Sequence, residues 1–241
     1  MNNSGMVSWL ETPLGRAFFE QEKKVVSKLI THLFGFHALL VGESPFLSMF
    51  ETSPIQHRIC LNALATKPFA LGNALCGRQD KLPILNDAVD LVYLAHTLEF
   101  TKNPHEVLRE AYRVLVSEGH LVIAGFNPWS SWGFLRWLLR WTNHTPWEGQ
   151  FISLLRLKDW LTLLGFDVVT CFPFFSRLPV NHTGFLQGSS FLESWGRWFW
   201  PFGEAGYVLL AKKRVMTLTP MKPVFRTARQ FDPIGGAVSV E

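Results

Sequence analysis

"LPILNDAVDLVYLAHTLEFTKNPHEVLREAYRVLVSEGHLVIAGFNP", residues 82–128, decides the fold. Its segment "DAVDLVYLA", from Asp87 to Ala95, is almost unbroken in apolar residues, the pattern of a strand covered on both faces. "NPHEVLREAYRVL" then predicts a helix, with Asn103 as N-cap, Pro104 in the first turn and Glu106 placed to complete a capping box. Val107, Leu108, Ala111, Tyr112 and Leu115 recur at helical spacing and give it one buried stripe. A turn at Gly119 leads into "EGHLVIAGF", a second buried strand. Strand, helix and strand in this order form a crossover unit, which joins parallel neighbours.

The same alternation extends in both directions. Upstream, Thr12 caps a helix that Pro13 opens, Leu14, Phe18, Val25, Leu29 and Leu33 stripe it, and Gly35 stops it. "FHALLV" follows as a strand, "HRICL" at 57–61 as another, and the pattern between 62 and 86 is weak. Downstream come a Trp-rich helix over about 128–141, a helix "SLLRLKDWLTLLGF" ending at Gly165, the strand "DVVTCFPFF" and the edge strand "AGYVLLAKKRV". The fold class expected is α/β: a Rossmann-like, doubly wound, mostly parallel sheet with helices on both faces and an antiparallel edge strand. Three regions are expected: an N-terminal helical segment over 1–35, the α/β domain over 36–215 with a Trp-rich lid around 128–147, and a tail over 216–241.

Composition narrows the function classes. Of 241 residues, 48% are hydrophobic and 17% charged, so one domain can bury a substantial core. The formal charge of +4 comes without a long basic block, which argues against a nucleic-acid surface. Cys60, Cys76 and Cys171 are far apart, carry no zinc-type spacing and read as reduced thiols of a cytoplasmic protein, so no metal is expected. No apolar run is long enough to span a bilayer, and the start of the chain has no signal-peptide pattern.

The stretch 82–128 resembles the core of the class I S-adenosylmethionine-dependent methyltransferases of the type 11 group. In that family a Leu-Pro loop precedes an Asp-Leu-Val strand, a His-x-Leu-Glu turn, a Leu-Arg-Glu helix and a Gly-x-Leu-Val-Ile strand. Leu82, Pro83, Asp90, Leu91, Val92, His96, Leu98, Glu99, Leu108, Arg109, Glu110, Gly119, Leu121, Val122 and Ile123 fall in step with it. The resemblance implies S-adenosylmethionine as cofactor and methyl transfer as activity. It also implies a cofactor site at the ends of the first, second and fourth strands, formed by Gly42, Glu43, Ser44, Asn62 and backbone around Tyr93, Leu94 and Ala95; the family's adenine-holding acid before the Leu-Pro pair falls at Arg78 here, with Asp80 two residues later. The family's glycine-rich turn is reduced here to Gly42 alone, and the family's acid after the second strand is replaced by Asn62.

Methyl transfer from a sulfonium needs alignment first, and a base only for acceptors of high pKa. His96, on the loop after the fourth strand, is the candidate base or orienting residue; a structural histidine bonding a neighbouring loop is the other reading. Asn127 and Pro128 read as the N-cap and first-turn proline of the Trp-rich helix. That helix, with Trp129, Trp132 and Arg136, is the candidate wall for a small, apolar or aromatic acceptor, and its Trp/Arg face also suits peripheral membrane contact. The alternative function is a non-catalytic methyltransferase-like module that binds a protein or membrane surface. RNA modification, by base stacking on Trp/Arg pairs, ranks behind both.

Overall fold

The computed structural model describes residues 4–62, 73–139, 146–175 and 203–214. The strands among them are β1 (His37–Val41), β2 (His57–Asn62), β3 (Asn73–Cys76), β4 (Val89–Ala95), β5 (Leu115–Phe126), β6 (Phe166–Phe174) and β7 (Gly206–Lys213). They make one sheet in the order β3-β2-β1-β4-β5-β7-β6. Neighbours from β3 to β5 pair in parallel, and β7 pairs antiparallel with both β5 and β6. The expected Rossmann-like class is therefore the observed one. The position of the antiparallel strand differs: β7 lies inside the sheet and β6 forms the edge. Almost every residue of β7 is buried, as an interior strand requires.

The helices are α1 (Ser4–Leu10), α2 (Pro13–Ile30), α3 (Thr97–Phe100), α4 (Pro104–Val114), α5 (Ser131–Leu139) and α6 (Leu154–Leu163), with a 3-10 helix over Ser44–Thr52. Side chains alternate along β4 and so divide the core. Leu91, Tyr93 and Ala95 join Met6, Trp9, Phe18, Val26, Phe50, Phe126 and Trp132 under α1, α2 and the 3-10 helix. Val92 and Leu94 join Val107, Leu108, Leu157 and Leu161 under α4 and α6.

Thr12 controls the start of α2 as expected: its Oγ1 accepts from Gly15 N at 3.1 Å and donates to Trp9 O at 2.7 Å, linking the end of α1 to the new helix. A Cβ at Gly15 would lie 2.1 Å from Trp9 O, so this tight helix–helix turn needs glycine. The expected stop at Gly35 comes early, since α2 ends at Ile30 with Thr31 as its C-cap.

Other local expectations are corrected. Asn103 precedes α4 but makes no side-chain cap, and Glu106 pairs with Arg109 at 2.8 Å instead of closing a capping box. β3 lies in the stretch whose pattern was too weak to predict a strand, because its residues are mostly exposed at the sheet edge. The Trp-rich helix starts at Ser131, after a turn in which Asn127 Oδ1 accepts from Trp129 N at 3.0 Å. Ser130 then accepts from Gly133 N at 3.3 Å, taking the capping place expected for Asn127.

β6 and β7 meet where Ala205 N donates to Phe175 O at 2.9 Å. The sequence "WGRWFWPF" at 195–202 and the expected tail at 216–241 lie outside the described residues.

Candidate functional site

At the carboxyl ends of β1 and β4 a small cleft opens, lined by Met6, Gly42, Glu43, Gln79, Ala95, His96, Thr97 and Phe100. Parallel sheets place their ligands at this end, where β1 sends neighbours off in both directions. Gly42 leaves β1 at φ +151°, and a Cβ there would come within 3.0 Å of Ala95 O and 3.2 Å of Ala95 Cβ. Glycine thus lets the two strand exits run side by side. Thr97 Oγ1 clamps the same junction by donating to Val41 O at 2.6 Å.

Beside Gly42, the ends of β1 and β2 bring two polar side chains together. Asn62 Nδ2 donates to Glu43 Oε2 at 3.0 Å, and both residues are buried. Burial, and then the Glu43 charge, push the neighbouring Cys60 thiol up to about 12, so that cysteine is an inert core residue.

Beneath the cleft lies a second polar cluster. His96 sits in the left-handed region at φ 50° and is only 2% exposed. Its Nε2 is 3.2 Å from Glu22 Oε2, on α2, and its Nδ1 is 3.1 Å from Glu99 Oε2. Tyr93 donates its hydroxyl to Glu22 Oε1 at 2.6 Å, and Phe126 N donates to Glu99 Oε1. Aromatic rings of Phe18, Phe46 and Phe126 pack around the imidazole. Burial lowers the pKa of His96, but the carboxylates of Glu22 and Glu99 outweigh it and hold the ring up at about 10. Burial, with Glu22 adding to it, keeps Tyr93 neutral, well above the ordinary tyrosine value.

This geometry sorts the expected site residues. Gly42, Glu43 and Ala95 line the cleft, and Asn62 stands behind Glu43. Ser44 opens the 3-10 helix one residue beyond the lining. The side chains of three other expected residues, Asp80, Tyr93 and Leu94, are engaged elsewhere, which leaves the backbone of Tyr93 and Leu94 as their expected means of contact. Asp80 is tied to Arg78 at 2.5 and 2.8 Å while Gln79 takes the lining place. Tyr93 points to Glu22, and Leu94 lies in the opposite core layer. His96 lines the cleft, and both its nitrogens face carboxylates that raise its pKa, an arrangement that favours the structural reading over the base.

The expected acceptor wall is also corrected. Trp132 is fully buried, stacked with Phe126 and Phe18, and contributes to the core. Arg136 donates to Gly149 O and lies over the Phe151 ring at 5.3 Å. Asn127 holds β7 in place, donating from Nδ2 to Glu204 O at 3.1 Å. Trp129 alone of the four is well exposed, at 70%.

Sequence reasoning missed Glu22, Gln79 and Met6. Glu22 was detectable as an acid inside the apolar stripe Phe18, Glu22, Val26 of α2; Gln79 and Met6 carry no such signal. Among the described residues no cluster of three or more His, Cys, Asp or Glu side chains is arranged to hold a metal ion, and no helix is long and apolar enough to cross a membrane.

Comparison with known proteins agrees with this architecture. Residues 49–123 match the model of a methyltransferase domain family. The chain is 30% identical over 216 residues to the uncharacterised protein YafS of Escherichia coli K12, covering 89% of this chain and 84% of that one. A S-adenosylmethionine-dependent methyltransferase of Thermotoga maritima superposes with a TM-score of 0.64 at 17% identity, over 86% of this chain and 93% of the other. One from Archaeoglobus fulgidus gives 0.59 at 19% identity, over 80% and 93%.

Proposed function

Because this chain belongs to the class I S-adenosylmethionine-dependent methyltransferase family, we propose that it binds S-adenosylmethionine in the cleft at the ends of β1, β2 and β4 and methylates a small, apolar or aromatic acceptor. The observation that carries the cofactor reading is the Glu43–Asn62 pair, a carboxylate and an amide side by side where two adjacent parallel strands end. Such a pair accepts hydrogen bonds from vicinal hydroxyls, as a ribose presents. Gly42 offers backbone without a side chain, Gln79 offers an amide, and Ala95 to Thr97 offer backbone groups. The donor set therefore suits a nucleoside with a polar tail. Bound S-adenosylmethionine supplies an activated methyl group on a sulfonium.

The chain's own part is to position and exclude water. With His96 locked between two carboxylates, the cleft has no free imidazole to deprotonate an acceptor, which favours acceptors already nucleophilic at neutral pH. Calorimetry of the full chain with S-adenosylmethionine and S-adenosylhomocysteine tests the reading. Binding in the micromolar range is the expected result; no heat up to millimolar ligand overturns it and favours the non-catalytic module.

A further inference from the structure

The cluster beneath the cleft has a net charge that its geometry fixes. Three contacts link its members: Tyr93 to Glu22 at 2.6 Å, Glu22 to His96 at 3.2 Å, and His96 to Glu99 at 3.1 Å. Each contact joins two electronegative atoms and needs one proton between them. Three protons shared by a phenol, an imidazole and two carboxylates leave one negative charge, whichever partner in each contact holds the proton. Met49 Sδ, 3.2 Å from the tyrosine hydroxyl, is too weak an acceptor to compete with a carboxylate. The last carboxylate oxygen, Glu99 Oε1, accepts a backbone N–H and adds no charge.

Two further observations give this charge a direction. His96, the centre of the cluster, is itself a wall of the cleft, and Glu43 is a second buried acid in that wall. Among the described residues that line it none is Lys or Arg, although the whole chain carries +4. The cleft is thus anionic within a cationic protein, and buried charge is poorly screened by salt.

We infer that the Tyr93–Glu22–His96–Glu99 cluster is a buried counter-charge that makes the cleft select a cationic ligand over its neutral analogue, with Glu22 and Glu99 together supplying the charge from outside the lining. The inference rests on the S-adenosylmethionine reading of the same cleft. In those terms it selects the sulfonium over the thioether that remains after methyl transfer. Glu22 does not touch the ligand; it acts through His96 and is a positioning residue. The charge favours loading of the methylated cofactor and departure of the demethylated one.

The experiment is calorimetry at neutral pH with three ligands: S-adenosylmethionine, its ammonium analogue sinefungin, and uncharged-thioether S-adenosylhomocysteine. In the wild-type chain the two cationic ligands are expected to bind more tightly than the thioether by about tenfold or more, as one nearby charge in a poorly screened site supports. Glu22→Gln alone keeps the charge, because a neutral His96 accepts from the new amide and still donates to Glu99, so it should leave the ratio unchanged, as should Tyr93→Phe, which removes a hydrogen bond without altering the charge. The double variant Glu22→Gln/Glu99→Gln removes the charge and is expected to weaken both cationic ligands by about tenfold while changing the thioether less than about threefold, a split that lost packing alone does not produce. Equal weakening of all three ligands by the double variant overturns the inference and leaves the cofactor reading intact. If the double variant does not fold, the wild-type ranking decides, and tighter binding of the thioether overturns the inference. Absence of binding by all three overturns the cofactor reading and the inference with it.

Discussion

His96 Nε2 and Glu22 Oε2 lie 3.2 Å apart although 74 residues separate them in the chain, and both side chains are shut away from water. The contact makes α2 part of the site instead of an appendage to it. Removing one partner of a buried ionic contact strands the other, at about 3–5 kcal/mol. Glu22→Ala should therefore lower the unfolding free energy by about that amount, measured by urea denaturation, whereas Lys23→Ala, which breaks the partly exposed Lys23–Glu51 pair, should cost about 1 kcal/mol or less.

The same histidine predicts a pH dependence. Its folded pKa, about 10, is raised above the ordinary histidine value, so its stabilisation is complete below about pH 6.5 and disappears as pH rises towards 10. Within that window the folded state holds one proton more than the unfolded state. Stability should fall by about 1.4 kcal/mol per pH unit between about pH 7 and 9. NMR of the imidazole should show the His96 ring still protonated at pH 8, in step with the slope read in urea titrations. A ring that titrates near 6.5 would refute the assignment.

Gly42 predicts a local, two-part defect. An alanine there meets both an unfavourable φ and the Ala95 carbonyl, so Gly42→Ala should cost about 1–3 kcal/mol in stability. Because the two strand exits must part to admit the methyl group, affinity for S-adenosylmethionine should fall as well. Thermal melting and calorimetry read the two parts separately.

Asn62→Ala is expected to weaken S-adenosylmethionine and S-adenosylhomocysteine alike, by about tenfold, since the lost amide supports the carboxylate that both would meet. A change confined to one ligand would argue that Asn62 senses the sulfur end and not the ribose.

The tryptophans separate core from surface. Trp132→Ala should cost about 3–5 kcal/mol, for it empties a fully buried place among Phe18, Phe126 and Phe175. Trp129→Ala, at an exposed position, should stay within about 0.5 kcal/mol. Chemical denaturation distinguishes them directly.

Much of this fold was legible because its central strands are hydrophobic on both sides. "DLVYLA" and "LVIAGF" show that pattern without help from tertiary contacts, and Pro104 marks where the helix between them starts. β3 was not legible, since an exposed edge strand of four residues has no periodicity to show. The site was half legible. Gly42, Glu43, Ala95 and His96 sit where strand ends must converge, a consequence of topology that the element order already implies. Which way Tyr93 points depends on the pleat of β4 and on α2 packing against it, and no local pattern encodes that. Trp132 misled for a related reason: a tryptophan on an amphipathic helix fits a binding wall or a core equally well until its neighbours are known.

The bond from Ala205 N to Phe175 O brings the end of β6 and the start of β7 together. The β6–β7 register is set on its own side of that bond, by pairs running from Phe174–Gly206 to Phe166–Lys213. The register is thus a property of the paired strands themselves, and it survives any change in the connecting sequence that leaves this contact in place.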